Sequence, residues 1–118
     1  MKESLIDEIT LRNRYLVYTS VSGFNVVQVD KHGDRHQQAF TPEVVDFVAD
    51  LLDGEEVTVD QVVDTIEPLA EQEVIDLPFT HGFKLRFYLQ SILIILVATG
   101  RAELRKDRRA FIYRIDNV

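Results

Sequence analysis

At Thr41-Pro42 the spacing of apolar residues changes from two to between three and four, so a segment of strands gives way there to helices. Before that point, Tyr15–Val21 and Phe24–Val29 are rich in β-branched and aromatic residues. Ser22-Gly23 separates them by the two residues of a tight hairpin, and Gly23 can take a positive φ. A second turn at Lys31-His32-Gly33-Asp34 leads into a weaker strand, Arg35–Phe40. The reading is a three-stranded antiparallel meander. The first dozen residues, with Leu5, Ile6 and Ile9 at helical spacing, predict a short helix ahead of it.

Beyond the change of period, Thr41-Pro42-Glu43 supplies a cap, a residue suited to the first helical position and an acid at the positive end of the dipole. Val44, Val45, Phe47, Val48, Leu51 and Leu52 form an apolar stripe, with Asp46, Asp50 and Asp53 outside it and Gly54 as the stop. Thr58 to Gln61 fits a capping box, Val62, Val63 and Ile66 form an inner face, and Pro68 is expected to end or kink this second helix. Asp76-Leu77-Pro78 resembles a new start, for a third helix running to Thr99 and stopped by Gly100. Periodicity alone also allows a buried strand over 92–97, but length favours the helix. The end is a predicted hairpin: Arg101–Leu104, a turn over Arg105–Arg109, then Ala110–Ile115. There are no repeats or linkers, so residues 1–118 are read as a single α+β domain, with the meander over 1–40 and the helical unit over 41–115.

The absence of cysteine excludes disulfides, thiolate metal sites and cysteine nucleophiles. No apolar signal core is present over 1–8, and the apolar run 92–98 is a fraction of the roughly 20 residues a membrane span requires. The expectation is therefore a cytoplasmic chain with no membrane partner. Charge is segregated. Residues 1–40 carry five basic and five acidic side chains, 41–81 carry twelve acidic and none basic, and 82–118 carry eight basic against three acidic, within a total of −7. Such asymmetry marks an interaction surface more often than an even mixture does.

The stretches Leu51-Leu52-Asp53-Gly54-Glu55-Glu56-Val57-Thr58-Val59-Asp60-Gln61-Val62-Val63 and Leu96-Val97-Ala98-Thr99-Gly100-Arg101-Ala102-Glu103-Leu104-Arg105-Lys106-Asp107-Arg108-Arg109-Ala110-Phe111-Ile112-Tyr113-Arg114-Ile115 follow the order helix, Gly-containing turn, capped helix, longer helix and basic hairpin. Over residues 41–115 this order resembles the winged-helix superfamily. The resemblance implies a three-helix winged-helix-like unit with a C-terminal β-hairpin, a third helix at the major groove and a wing on the DNA backbone. It makes Arg105, Lys106, Arg108 and Arg109 the candidate nucleic-acid contacts, with Lys84 and Arg86 extending the patch. The third helix has no continuous polar face, since Lys84 and Ser91 fall on one side and Arg86 and Gln90 nearly opposite. Contact is therefore expected on phosphates rather than base edges.

Two function classes follow. One is a small DNA-associated regulator, dimeric, using the basic wing on double-stranded DNA. The other is a protein-interaction module, a homodimer or a regulatory partner, that keeps the scaffold without DNA. The remaining features favour plain structural readings. The basic turn also suits a solvated hairpin end that blunts a sheet edge, and the acidic helices suit solvated faces or a basic partner. Asp30, His32, Asp34 and His36 alternate around a turn but match no zinc or calcium loop. Tyr15, Tyr18, Phe24 and Phe40 read as sheet core rather than a stacking platform. His81 reads as a loop or helix-start residue. No phosphate loop, nucleophile elbow or HExxH is present, so no catalytic residue, metal or cofactor is assigned.

Overall fold

The computed structural model describes residues 3–117. Four strands come first: β1 (Ser4–Thr10), β2 (Arg14–Ser20), β3 (Gly23–Val29) and β4 (Arg35–Phe40), paired antiparallel in the order β1-β2-β3-β4. Then follow α1 (Pro42–Leu51), the two-residue strand β5 (Glu56–Val57), α2 (Val59–Glu71) and α3 (Gly82–Ala98). The hairpin β6 (Ala102–Asp107) and β7 (Ala110–Ile115) completes the chain, and β5 adds to it in a second sheet of order β5-β7-β6.

The meander thus has four strands rather than three. Residues 4–10 are an edge strand and not a helix, while Met1 and Lys2, the start of that expected helix, lie outside the described residues. The physical reason is pairing. Without a partner Leu5, Ile6 and Ile9 suit a helix, but the free edge of β2 satisfies their backbone groups. A bulge between Leu5 and Asp7 breaks the alternation, so only Ile9 is buried and Leu5 and Ile6 stay exposed.

The β2–β3 turn falls on Val21-Ser22, one residue earlier than expected, and Gly23 opens β3 with φ 139°. A Cβ at Gly23 would lie 2.2 Å from the Phe40 carbonyl oxygen, so the close approach of β4 demands glycine. At the next turn Asp30 Oδ1 accepts the backbone N–H groups of His32 (2.8 Å) and Asp34 (3.0 Å), which accounts for the acid there.

The starts of α1 and α2 follow the sequence closely. Thr41 caps α1 by accepting from Val44 N, and Thr58 and Gln61 form the expected reciprocal capping box on α2. The stops follow it less well. Pro68 sits inside α2, which continues to Glu71. The N–H that Pro68 lacks belonged to the last turn only, and the Asp64 residue opposite it is exposed. The helix ends instead in a Schellman motif, with Val74 N donating to Leu69 O (2.9 Å) and Glu73 N to Ala70 O (3.2 Å). Glu73 therefore holds φ 58°, a position that glycine takes without strain. The same motif closes α3 at Gly100, as expected.

Helix α3 starts at Gly82, with His81 as its N-cap residue, and not at Asp76-Leu77-Pro78. Pro78 forces Leu77 out of helical geometry, and Leu77 is buried in the core while Phe79 packs against it. From Leu85 to Leu96 the helix is almost wholly buried. Leu85, Leu89 and every residue from Ile92 to Leu96 have no exposed surface, which also removes the strand alternative for 92–97. One side meets the inner face of the first sheet, and the others meet α1, α2 and β6. The sheet face turned to it is half polar: Tyr15, Gln28 and Gln38 share it with Val17, Val26 and Phe40. Ser91, the buried polar residue of α3, donates to Gln38 Oε1 at 3.0 Å. Tyr15 and Phe40 are core residues as expected, while Tyr18 and Phe24 are half-buried. Among the described residues no helix is long and apolar enough to cross a membrane.

Two substitutions test this backbone reading. Gly23→Ala should lower unfolding free energy by at least about 2 kcal/mol, because a Cβ meets rigid backbone. Glu73→Gly should raise it by about 0.5–1 kcal/mol by relieving the left-handed residue. Urea denaturation of both variants beside the parent checks the opposite signs.

Candidate nucleic-acid interface and the cleft beneath it

The hairpin is longer and its turn tighter than the sequence indicated. β6 runs to Asp107, which faces Ala110, so the turn is Arg108-Arg109 alone. Arg105 and Lys106 are strand residues, because pairing with Ile112 and Phe111 outweighs their weak strand preference. Arg108, at the first turn position, holds φ 58°. Alternation then sorts the side chains. Leu104, Lys106, Phe111 and Tyr113 lie on the inner face, and Glu103, Arg105, Ile112 and Arg114 on the outer.

The six predicted contacts do not form one patch. Arg105 Nη2 pairs with Glu56 Oε1 at 3.0 Å on the outer face, where Glu56 on β5 also faces Arg114. Arg86 Nε pairs with Asp60 Oδ1 at 3.0 Å. Lys106 Nζ stands 5.6 Å from the centre of the Phe111 ring, its cross-strand partner. Lys84 lies on the other side of α3, 5.8 Å over the Phe79 ring, in a groove with Asp30 and His36. Arg108 and Arg109 are exposed, and among the described residues neither makes an ion pair.

The acidic segment explains much of this division. Asp46 accepts from Arg101 Nη1 at 2.9 Å, Asp53 from Asn117 N at 2.9 Å, and Asp50 from the Asn117 side chain. Three acids of residues 41–81 thus ion-pair with three bases of residues 82–118: Asp46–Arg101, Glu56–Arg105 and Asp60–Arg86. Three of the twelve acids and three of the eight bases are thus matched internally.

What the structure does gather is a cleft of about 490 Å³ between the first sheet, the starts of α2 and α3, and the inner face of the hairpin. Arg12, Arg86 and Arg109 line it, with Asp60 as the only acid. Phe83, Phe87 and Phe111 supply apolar walls, and Phe83 is 75% exposed. On the floor are Tyr15, Gln28 and Tyr113, at 3%, 6% and 1% exposure. Tyr113 Oη and Gln28 Oε1 have no hydrogen-bond partner among the described residues. Burial, with the Tyr15 hydroxyl beside it, holds the Tyr113 pKa well above the usual tyrosine range. The Gln90 amide and the Arg86 guanidinium oppose the rise, the former without reaching hydrogen-bonding geometry. Burial raises Tyr15 as well, against opposing contributions from Asn13 and Arg86.

Sequence reasoning singled out Arg86 and Arg109 but missed Arg12, Gln28 and Tyr113. One signal was present: Gln28 interrupts the inward row Phe24, Val26, Gln28, where an apolar residue would suit a plain core. No known family model, curated protein or solved structure matches the chain, so the surface is read on its own chemistry.

The tyrosines predict an alkaline limit to stability. Unfolded tyrosines ionise near pH 10, whereas the raised folded pKa values keep Tyr15, Tyr88 and Tyr113 protonated. Above that pH the folded state binds more protons than the unfolded, so stability falls as pH rises. Urea midpoints should be level from about pH 7 to 9 and decline above about pH 10, with a shallower decline in Tyr113→Phe. An equal decline in that variant would show that the Tyr113 hydroxyl is solvated.

Proposed function

We propose that the chain is a small DNA-associated regulator that touches the phosphate backbone through the tip of its β6–β7 hairpin. The single observation that carries this is the tip itself. Arg108 and Arg109 stand exposed with no acidic partner among the described residues, at the end of a rigid paired hairpin. The resemblance of residues 41–115 to winged-helix proteins supports the same use of this hairpin. Arginine at such a tip can reach phosphates bidentately. The rest of the surface, within a total charge of −7, repels DNA and leaves approach from the hairpin side.

The contact has no base-reading element in this proposal. The greater part of α3 is covered by the first sheet, α1 and α2 and offers no polar face to a groove. Binding is therefore sequence-tolerant, weak and governed by salt. A second reading, a protein-interaction module acting as a homodimer or on a regulatory partner, draws on that same burial of α3 and on the exposed Phe83.

Fluorescence anisotropy of a labelled random duplex at roughly 50 and 200 mM salt tests the proposal. The affinity should fall steeply between these salts, with little dependence on duplex sequence. Arg108→Gly and Arg109→Ser should each lower the salt slope by about one. Arg108→Gly should do so without loss of thermal stability, since glycine suits the positive φ there. If no binding occurs at the lower salt, or the slope is unmoved by both changes, the DNA reading fails. The protein-interaction reading would then take its place.

A further inference from the structure

The cleft beneath the hairpin has features that DNA contact does not use. Its floor carries two polar atoms without partners among the described residues, Tyr113 Oη and Gln28 Oε1, on side chains at 1% and 6% exposure. Leaving such groups unpaired is costly, so buried polar atoms facing a cleft point to a ligand that pairs with them. Tyr113 belongs to the second sheet and Gln28 to the first, so the arrangement exists only where the two sheets meet. A plain packing contact between sheets would use apolar residues at both positions.

We propose that this cleft binds a small amphipathic anion, an aromatic carboxylate bearing a hydroxyl group. The charge at the rim selects the anion: Arg12, Arg86 and Arg109 against Asp60 alone. One guanidinium edge of Arg86 is already held by Asp60, which orients it at the cleft wall. The rings of Phe83, Phe87 and Phe111 select a flat apolar body, which stacks or packs edge-on between them. The floor selects the hydroxyl. A ligand hydroxyl can accept from Tyr113 Oη or donate to Gln28 Oε1, the two unpaired atoms of the floor. A volume of about 490 Å³ lies within the range of small-molecule sites. The site does not depend on DNA contact, and either can stand without the other.

Isothermal titration calorimetry of the full chain tests the assignment with 4-hydroxyphenylacetate, phenylacetate and 4-hydroxyphenylethylamine. The first should bind. Phenylacetate, lacking the hydroxyl, should bind at least about tenfold more weakly, because it leaves both floor atoms unpaired. The amine, which carries the opposite charge, should not bind detectably. Tyr113→Phe should reduce affinity for 4-hydroxyphenylacetate by about tenfold and leave phenylacetate unchanged, a selective effect that a folding defect does not produce. Arg109→Ser should weaken both carboxylates. Absence of heat with 4-hydroxyphenylacetate, equal loss of both carboxylates in Tyr113→Phe, or equal binding of the amine would each overturn the proposal.

Discussion

Everything else in this fold is arranged around one helix that has no solvent face over most of its length. From Leu85 to Leu96, α3 buries leucine and isoleucine on all sides, and each fully buried side chain contributes about 1.5–3 kcal/mol as an upper estimate. Such a helix cannot stand at a surface. It requires cover on every side, and neither the hairpin nor the first two helices suffices. The four-stranded sheet supplies the remainder. By comparison, the Arg–carboxylate pairs of the described residues are largely exposed, and such pairs contribute little to stability. Burial decides the fold, and charge decides how its surface is finished.

That finishing is economical. The acids of α1 and of the segment leading into α2 neutralise bases of the C-terminal part through Asp46–Arg101, Glu56–Arg105 and Asp60–Arg86. Asp50 and Asp53 also fix the last described residue, Asn117, so the C-terminal segment lies against α1. Of the eight bases of residues 82–118, Lys84, Lys106, Arg108, Arg109 and Arg114 are exposed and in no ion pair among the described residues, and Arg108 and Arg109 stand together at the hairpin turn. A contact built on so few charges suits a phosphate backbone approached from one side, and the covered α3 leaves sequence reading to no other element.

The cleft arises from the same packing. The two sheets meet near the start of α3, where Phe83 and Phe87 line the gap between them without filling it. The first sheet turns a half-polar face to this region. Ser91 pairs with Gln38 where the packing is close, while Gln28 and Tyr113 stay unpaired where it opens.

The sequence by itself determined the elements whose causes are local. The change of period at Thr41, the caps at Thr41 and Thr58, the stop at Gly100 and the existence of hairpins near Gly23 and within 101–115, though not their turn residues, all rest on neighbours within a few residues. It also showed that α3 lacks a polar face, and hence must be buried. Only the tertiary structure decided the rest. Residues 4–10 became a strand because the edge of β2 stood free, Glu56–Val57 because β7 offered one, and Pro68 stayed inside α2 because its missing bond cost little in a last, exposed turn. The site divides in the same way. Composition located the basic residues, but which of them are neutralised, and which meet Gln28 and Tyr113 across the cleft, depends on contacts between residues tens of positions apart. No local pattern encodes those contacts, because they are fixed by how two sheets close over one buried helix.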